Sequence, residues 1–248
     1  MKILITGAKG FIGKNLIARL KEFGDKYTVY SYDVDSTKEE LCEYLKDCDF
    51  VFNFAAVHRP KEAAEFDKTN HLFFDELLEI LKANGNKCPV LYTSSIQAGN
   101  GTPYGDSKLS AENDLKKYGD ENGVRTIIYR LTNTYGRWAT PNHHSVVATF
   151  CYNLVNDLPI VVNDENLLMN FYYIDDVIDS LVSQIDGKQT PDADGIFRLP
   201  KEKIHSITLG ELSNILTSFK VAVDKGEKPK LENRIKETLY YTFMSYRQ

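Results

Sequence analysis

Three residues of this chain have the types and spacing to move a proton: Ser95, Tyr104 and Lys108. A tyrosine and a lysine four positions apart lie one turn from each other on one helix face. An ammonium beside a phenol stabilises the phenolate and lowers a pKa that starts at about 10. A phenol tuned in that way passes a proton to or from an alcohol or sugar oxygen near neutral pH. Ser95 closes an apolar run that reads as a strand over residues 90–95. Its hydroxyl then sits at the strand's carboxyl end, where it can donate to a carbonyl oxygen that becomes an alkoxide. Ser94 and Thr93 compete for that place, or bond to backbone instead.

A hydride source is implied at the other end of the sequence. Gly7, Gly10 and Gly13 stand at G-x-x-G-x-x-G spacing, enclosing Lys9, Phe11 and Ile12, between a run of apolar residues and a helical pattern. The first glycine allows a tight turn, the second lets backbone approach a pyrophosphate, and the third lets the helix pack on the sheet. The diphosphate then faces a helix N-terminus, where free N–H groups and the dipole favour negative charge. Asp33 closes the next apolar run about 20 residues further on, where an acid accepts from both ribose hydroxyls and favours NAD. A solvated strand-end acid is the alternative, since Asp35 is close by. No arginine stands near Asp33 to meet a 2′-phosphate, and Lys38 reaches it only if the loop folds back. A proton donor and a dinucleotide loop together couple proton transfer to hydride transfer.

The elements that must hold these residues follow from the apolar pattern. Strands are expected over residues 1–6, 27–32, 50–57, 90–95 and 126–131, alternating with helices over 37–45, 61–84 and 104–118. That alternation predicts an α/β fold with a doubly wound parallel sheet, Rossmann-like. Beyond residue 140 the pattern loosens. A helix is expected over 145–156, strands over 158–162 and 170–174, and helices over 175–184 and 208–219. The expected division is a dinucleotide-binding domain over 1–160 and a smaller C-terminal substrate lobe over 161–248, partly interleaved with it.

Composition sets bounds on function. The 248 residues are 42% hydrophobic, enough for a large core. A net charge of −5 offers no basic footprint for nucleic acid. No apolar stretch reaches the roughly 18 residues of a membrane span, and the N-terminus lacks the pattern of a signal peptide. Cys42, Cys48, Cys88 and Cys151 have neither metal-binding spacing nor the density of a disulfide framework, so reduced thiols in a cytoplasmic protein are expected. His143 and His144 alone fall short of the roughly four ligands of a zinc site, and no metal is expected.

In order and over most of the chain, several motifs resemble those of the extended short-chain dehydrogenase/reductases. They are Thr6-Gly7-x-x-Gly10-x-x-Gly13, Asn53-x-Ala55-Ala56, Ser95, Tyr104-x-x-x-Lys108 and Arg130-x-x-Asn133-x-Tyr135-Gly136. The resemblance implies a Ser-Tyr-Lys catalytic set with Lys108 on the nicotinamide ribose. It implies cofactor contacts from the glycine loop, Asp33, Ala55, Ala56, Tyr104 and Lys108, and a nucleotide-sugar site near Asn133. Further segments are similar to the capsular-polysaccharide UDP-ketosugar reductases of the CapF type: Ser94 to Ala98, the short run to Pro103-Tyr104-Gly105, Arg59-Pro60-Lys61, Ser145 to Cys151, Tyr173 to Val177 and Tyr241 to Tyr246. Those enzymes reduce a UDP-2-acetamido-2,6-dideoxy-4-hexulose at C4 with NADPH. They usually carry a C-terminal cupin domain, which would begin where this chain ends. The chain departs from them at His58, at His143 and His144, and at Val34, where relatives often place an arginine suited to NADPH.

The implied partners are a nucleotide-sugar substrate, a second copy of the chain in a homodimer, and a separate cupin-type protein. Neither nucleic acid nor membrane is expected. Arg59, Asn133 and Asn142 are candidates for the sugar nucleotide, and Asn70 for anchoring the catalytic helix or a water. Dehydration at C5 and C6 needs an acid–base pair beside the serine, and Ile96 and Gln97 supply none. A 4-epimerase with retained NAD stays open, although Met169 and Asn170 stand where many such enzymes have an arginine. An assembly module for the cupin partner is another reading. NADH and NADPH both remain candidates.

Overall fold

The computed structural model describes residues 1–56, 71–143 and 145–247. They form two compact units: Met1–Leu131 with Ser180–Arg198, and Thr132–Asp179 with Leu199–Gln248. The division therefore falls after Leu131 rather than at residue 160. Its physical reason is strand pairing. Residues from Asn133 onward pair within a second sheet, while Phe197 returns to lie parallel to Tyr129 at the open edge of the first.

The first unit is built on five parallel strands, β1 (Lys2–Thr6), β2 (Thr28–Tyr32), β3 (Phe50–Asn53), β4 (Val90–Ser95) and β5 (Thr126–Leu131), in the order β2-β1-β3-β4-β5. The strand order reverses between β1 and β3, and ligands of such sheets bind outside the carboxyl ends at that point. Every residue of β3 and β4 is buried, as central parallel strands covered on both faces require. The described helices of the unit include α1 (Phe11–Lys21), α2 (Lys38–Asp47), α3 (Phe73–Ala83) and α4 (Pro103–Asn122). Thr37 and Glu40 form a reciprocal cap at the start of α2. One core cluster joins Leu4, Val51, Phe74, Leu77, Leu81, Val90, Tyr92 and Leu115. Within it the rings of Phe74 and Tyr92 stack at 4.9 Å.

β3 is shorter than the expected 50–57. Its ladder ends where the Phe54 N–H donates to the Thr6 carbonyl and the Ala55 N–H turns to the Thr6 hydroxyl. The first part of the helix expected over 61–84 lies outside the described residues.

The second unit holds β6 (Asn133–Tyr135), β7 (Leu168–Tyr173) and β8 (Ile204–Thr208), in that order, parallel then antiparallel. Its helices are α5 (Val146–Val155), most of α6 (Ile174–Ser183), α7 (Leu209–Asp224) and α8 (Arg234–Ser245). The sequence pattern did not indicate β6, β8 or α8. The strand expected over 158–162 is absent. Asp157 takes a left-handed φ of 56°, the Leu158 N–H turns back to the Asn153 carbonyl at 2.8 Å, and Val161 lies 73% exposed. An apolar run with no ladder partner and no buried face does not make a strand.

The glycine loop is held by backbone contact. Gly7 has φ +65°, and a Cβ on Gly13 would lie 2.3 Å from the Gly7 carbonyl oxygen and 2.8 Å from the Ala8 Cα. Gly13→Ala must therefore push α1 off the loop. The expected cost is about 1–3 kcal/mol, read from denaturant midpoints. An unchanged midpoint would refute this close packing.

Candidate active site

The carboxyl end of β1 runs into the glycine loop, and α1 begins at Phe11 behind Gly10. No side chain caps α1, and its first turn carries no acid. Its leading N–H groups are thus left for an anion. Asp33, just past β2, receives the Lys9 N–H at 2.6 Å on one carboxylate oxygen and the Val34 N–H at 2.8 Å on the other. The acid is fixed against the loop, with lone pairs to spare for a ribose diol. The Lys9 ammonium pairs with Asp35. Lys38 does not fold back; it pairs with Glu76 instead. Ala55 and Ala56 follow β3 beside the loop, where Asn53 and Thr6 bond through their side chains. The buried Asn53 Nδ2 finds no partner among the described residues. An uncapped helix start, a placed acid and backbone in close approach fit a dinucleotide.

Ser95 ends β4, 8% exposed. Its hydroxyl accepts the Gln97 N–H at 3.1 Å and shares a hydrogen bond with the Tyr104 phenol. Tyr104 stands in the first turn of α4. That turn is set by Pro103 and by Thr102, whose hydroxyl accepts the Gly105 N–H at 3.1 Å. The Asn100 carboxamide in turn accepts from Thr102, which ties down the short connection between β4 and α4. The neighbouring Ser94 hydroxyl is buried with no described partner, so Ser95 is the serine joined to the tyrosine.

Lys108 is 3% exposed. Its Nζ donates to the Thr93 carbonyl at 3.0 Å and lies 4.8 Å from the centre of the Tyr92 ring and 5.9 Å from that of Tyr104. Burial pulls its pKa down to about 7, opposed by the charge of Glu112. The Tyr104 pKa is raised because burial disfavours the phenolate, and the Ser95 hydrogen bond counters this. Burial is the larger of the two effects on the phenol.

The other candidates are distributed differently. Asn133 opens β6 in the second unit, exposed, with its Nδ2 donating to the Asn170 carbonyl at 3.3 Å. Asn142, also in the second unit, has φ +57°, and its N–H donates to the Thr149 hydroxyl at 2.9 Å. Arg59, Asn70, His58 and His144 lie outside the described residues. Two groups around the site carried no sequence signal of their own. Tyr92 was one residue of an apolar strand, and Glu112 one acid of a polar helix; only the position of Glu112 four residues after Lys108 could have marked it.

These features define a class, a nucleotide-binding sheet with a serine–tyrosine pair and a buried lysine at its carboxyl edge. The chain belongs to the NAD dependent epimerase/dehydratase family, whose model matches residues 3–197. It is 37% identical over 246 residues to the UDP-2-acetamido-2,6-beta-L-arabino-hexul-4-ose reductase of Pseudomonas aeruginosa, covering 99% of this chain and 65% of that protein. It is similar to the crystal structure of the capsular polysaccharide assembling protein CapF from Staphylococcus aureus, with a TM-score of 0.87, 37% identity, and coverage of 99% of this chain and 65% of that one. The chain thus spans just under two thirds of these relatives. The fold is also that of a Bacillus cereus UDP-glucuronic acid 4-epimerase in complex with NAD, with a TM-score of 0.80, 18% identity, and coverage of 100% of this chain and 99% of that one. Among the described residues no helix is long and apolar enough to cross a membrane.

The buried amine has a measurable consequence. The unfolded chain keeps Lys108 protonated up to its ordinary value of 10.5, while the folded chain releases that proton near 7. Between those values the unfolded state binds more protons, so Lys108 makes stability rise with pH across that window. Relative to Lys108→Met, the wild type should gain stability from pH 7 to pH 10. Parallel denaturation midpoints across that range would contradict the buried-amine geometry.

Proposed function

We propose that this protein reduces the C4 ketone of a UDP-linked 4-keto-6-deoxy-aminosugar, supplying precursor for a capsular or surface polysaccharide in the cytoplasm. The observation that carries the reading is Tyr104 in the first turn of α4 beside Ser95 at the end of β4, with the buried Lys108 amine 5.9 Å from the centre of the phenol ring. A phenol in that place is an acid in waiting, which is what ketone reduction consumes. The reductase named among its relatives gives the substrate class.

A bound nicotinamide in its reduced form supplies the hydride. Ser95 donates to the ketone oxygen and Tyr104 transfers its proton there as the alkoxide forms, leaving an alcohol and a phenolate that solvent reprotonates. Lys108 holds the nicotinamide ribose and supports the phenolate. The α1 N-terminus at Gly10, Phe11 and Ile12 takes the diphosphate, and Asp33 takes the adenosine ribose. NADH suits this site better than NADPH. Asp33 repels a 2′-phosphate, Val34 supplies no cation, and Lys9 and Lys38 are already drawn to Asp35 and Glu76. Asn133, Asn142 and Arg59 are the candidates for the sugar nucleotide. The proposed assembly is a homodimer.

The test mixes the protein with UDP-4-ketosugars and either NADH or NADPH, following loss of absorbance at the nicotinamide band. Consumption that is faster with NADH is expected. Tyr104→Phe should lower turnover about 100-fold or more with cofactor affinity kept. Wild-type turnover in that variant would end the Tyr104 assignment. Intact cofactor binding without consumption of any ketosugar would end the reductase reading in favour of an epimerase.

A further inference from the structure

Glu112 is fully buried, 0% exposed, on the helix that carries Tyr104 and Lys108. An isolated carboxylate in such a place would take up a proton. Glu112 instead meets Arg130 of β5 as a two-pronged pair, with Nε donating to Oε1 at 2.8 Å and Nη2 to Oε2 at 2.7 Å. Arg130 thereby gives the buried carboxylate a two-pronged partner and ties the middle of α4 to the sheet. Glu112 also lies one helical turn beyond Lys108, on the same face.

The groups facing Lys108 come from two elements. β4 offers the Tyr92 ring and the Thr93 carbonyl, and α4 offers Tyr104 and Glu112. Among the described residues, Glu112 is the charge that favours the ammonium form against burial. Arg130, on β5, reaches this cluster through Glu112.

We propose that the Glu112–Arg130 pair is a positioning device for catalysis: Arg130 fixes the Glu112 carboxylate one turn from Lys108, and that carboxylate orients and supports the Lys108 amine beneath Tyr104. Neither residue touches the reacting atoms. The proposal rests on the reductase reading for its effect on turnover. The titration of Lys108 itself does not depend on that reading.

The test uses the full chain with ¹³C at lysine Cε, the Lys108 signal being identified by its loss in Lys108→Arg. The wild-type amine titrates near 7. In Glu112→Gln the midpoint should fall by at least about half a pH unit, because the opposite charge is gone. Glu112→Asp, which keeps the charge, should titrate closer to the wild type than Glu112→Gln does. Glu112→Gln combined with Arg130→Met leaves no unpaired guanidinium and should fold while keeping the lowered midpoint. With ketosugar and reduced cofactor, the alkaline fall in turnover should move to lower pH alongside the amine. Coincident Lys108 midpoints in wild type, Glu112→Gln and the double variant would overturn the proposal. A lowered midpoint in a protein that consumes no ketosugar would uphold the pair's role and sink the reductase reading instead.

Discussion

Taking an ammonium group out of water costs several kcal/mol unless hydrogen bonds and opposite charge replace its hydration. Lys108 is almost wholly withdrawn from solvent, and the surrounding groups of the first unit answer that cost. The Thr93 carbonyl accepts from it, the Tyr92 ring lies below it, and Glu112 supplies charge one turn away. Tyr92 can serve in that way because its own ring is stacked on Phe74 in the main core cluster. The position of the amine is thus set by the packing of β4 against α3 and α4, not by a surface side chain searching for a partner. Few rotamers remain to be frozen when a substrate arrives, which is the advantage of building a site on strands and helices rather than loops.

The connection between β4 and α4 shows the same economy in fewer atoms. Ser95 closes the strand, Thr102 caps the helix, and only the residues between them have to turn the chain. Asn100 fills that turn by accepting twice from Thr102, and the Gly99 N–H donates to the Gly105 carbonyl. Serine and tyrosine therefore arrive already joined. A longer connection would leave their approach to loop conformation, with an ordering cost at each turnover.

The sequence revealed what period and punctuation encode. Strands β4 and β5 are short runs built on apolar residues, Val90 to Tyr92 and Ile127 to Tyr129, and both were read to their terminal residues. The glycine spacing marked the loop because backbone contact leaves no room there for a side chain. Three kinds of information were invisible. β6 is three residues long and β8 alternates only briefly, so neither carries a period; they exist because β7 lies between them. The run over 158–162 had strand composition but no neighbour, and pairing rather than propensity decides such a case. Glu112 carried no periodic or motif signal of its own. Its burial follows from Arg130 reaching across from β5, a contact between distant positions that single-sequence periodicity cannot express.

The proposed reduction suits the balance among the same groups. Oxidation of an alcohol needs a base at Tyr104, and reduction of a ketone needs an acid. Burial raises the phenol pKa, and the Ser95 hydrogen bond opposes it, leaving the group protonated at neutral pH. Lys108 could reverse that only as an ammonium close to the phenolate oxygen. In the free protein its Nζ is instead committed to the Thr93 carbonyl, nearly 6 Å (5.9 Å) from the centre of the Tyr104 ring. An epimerase that begins by oxidising its sugar would have to overcome this arrangement in its first step. A reductase begins with the phenol as it stands, and needs Lys108 only afterwards, when the proton has gone and a negative oxygen must be held until solvent restores it.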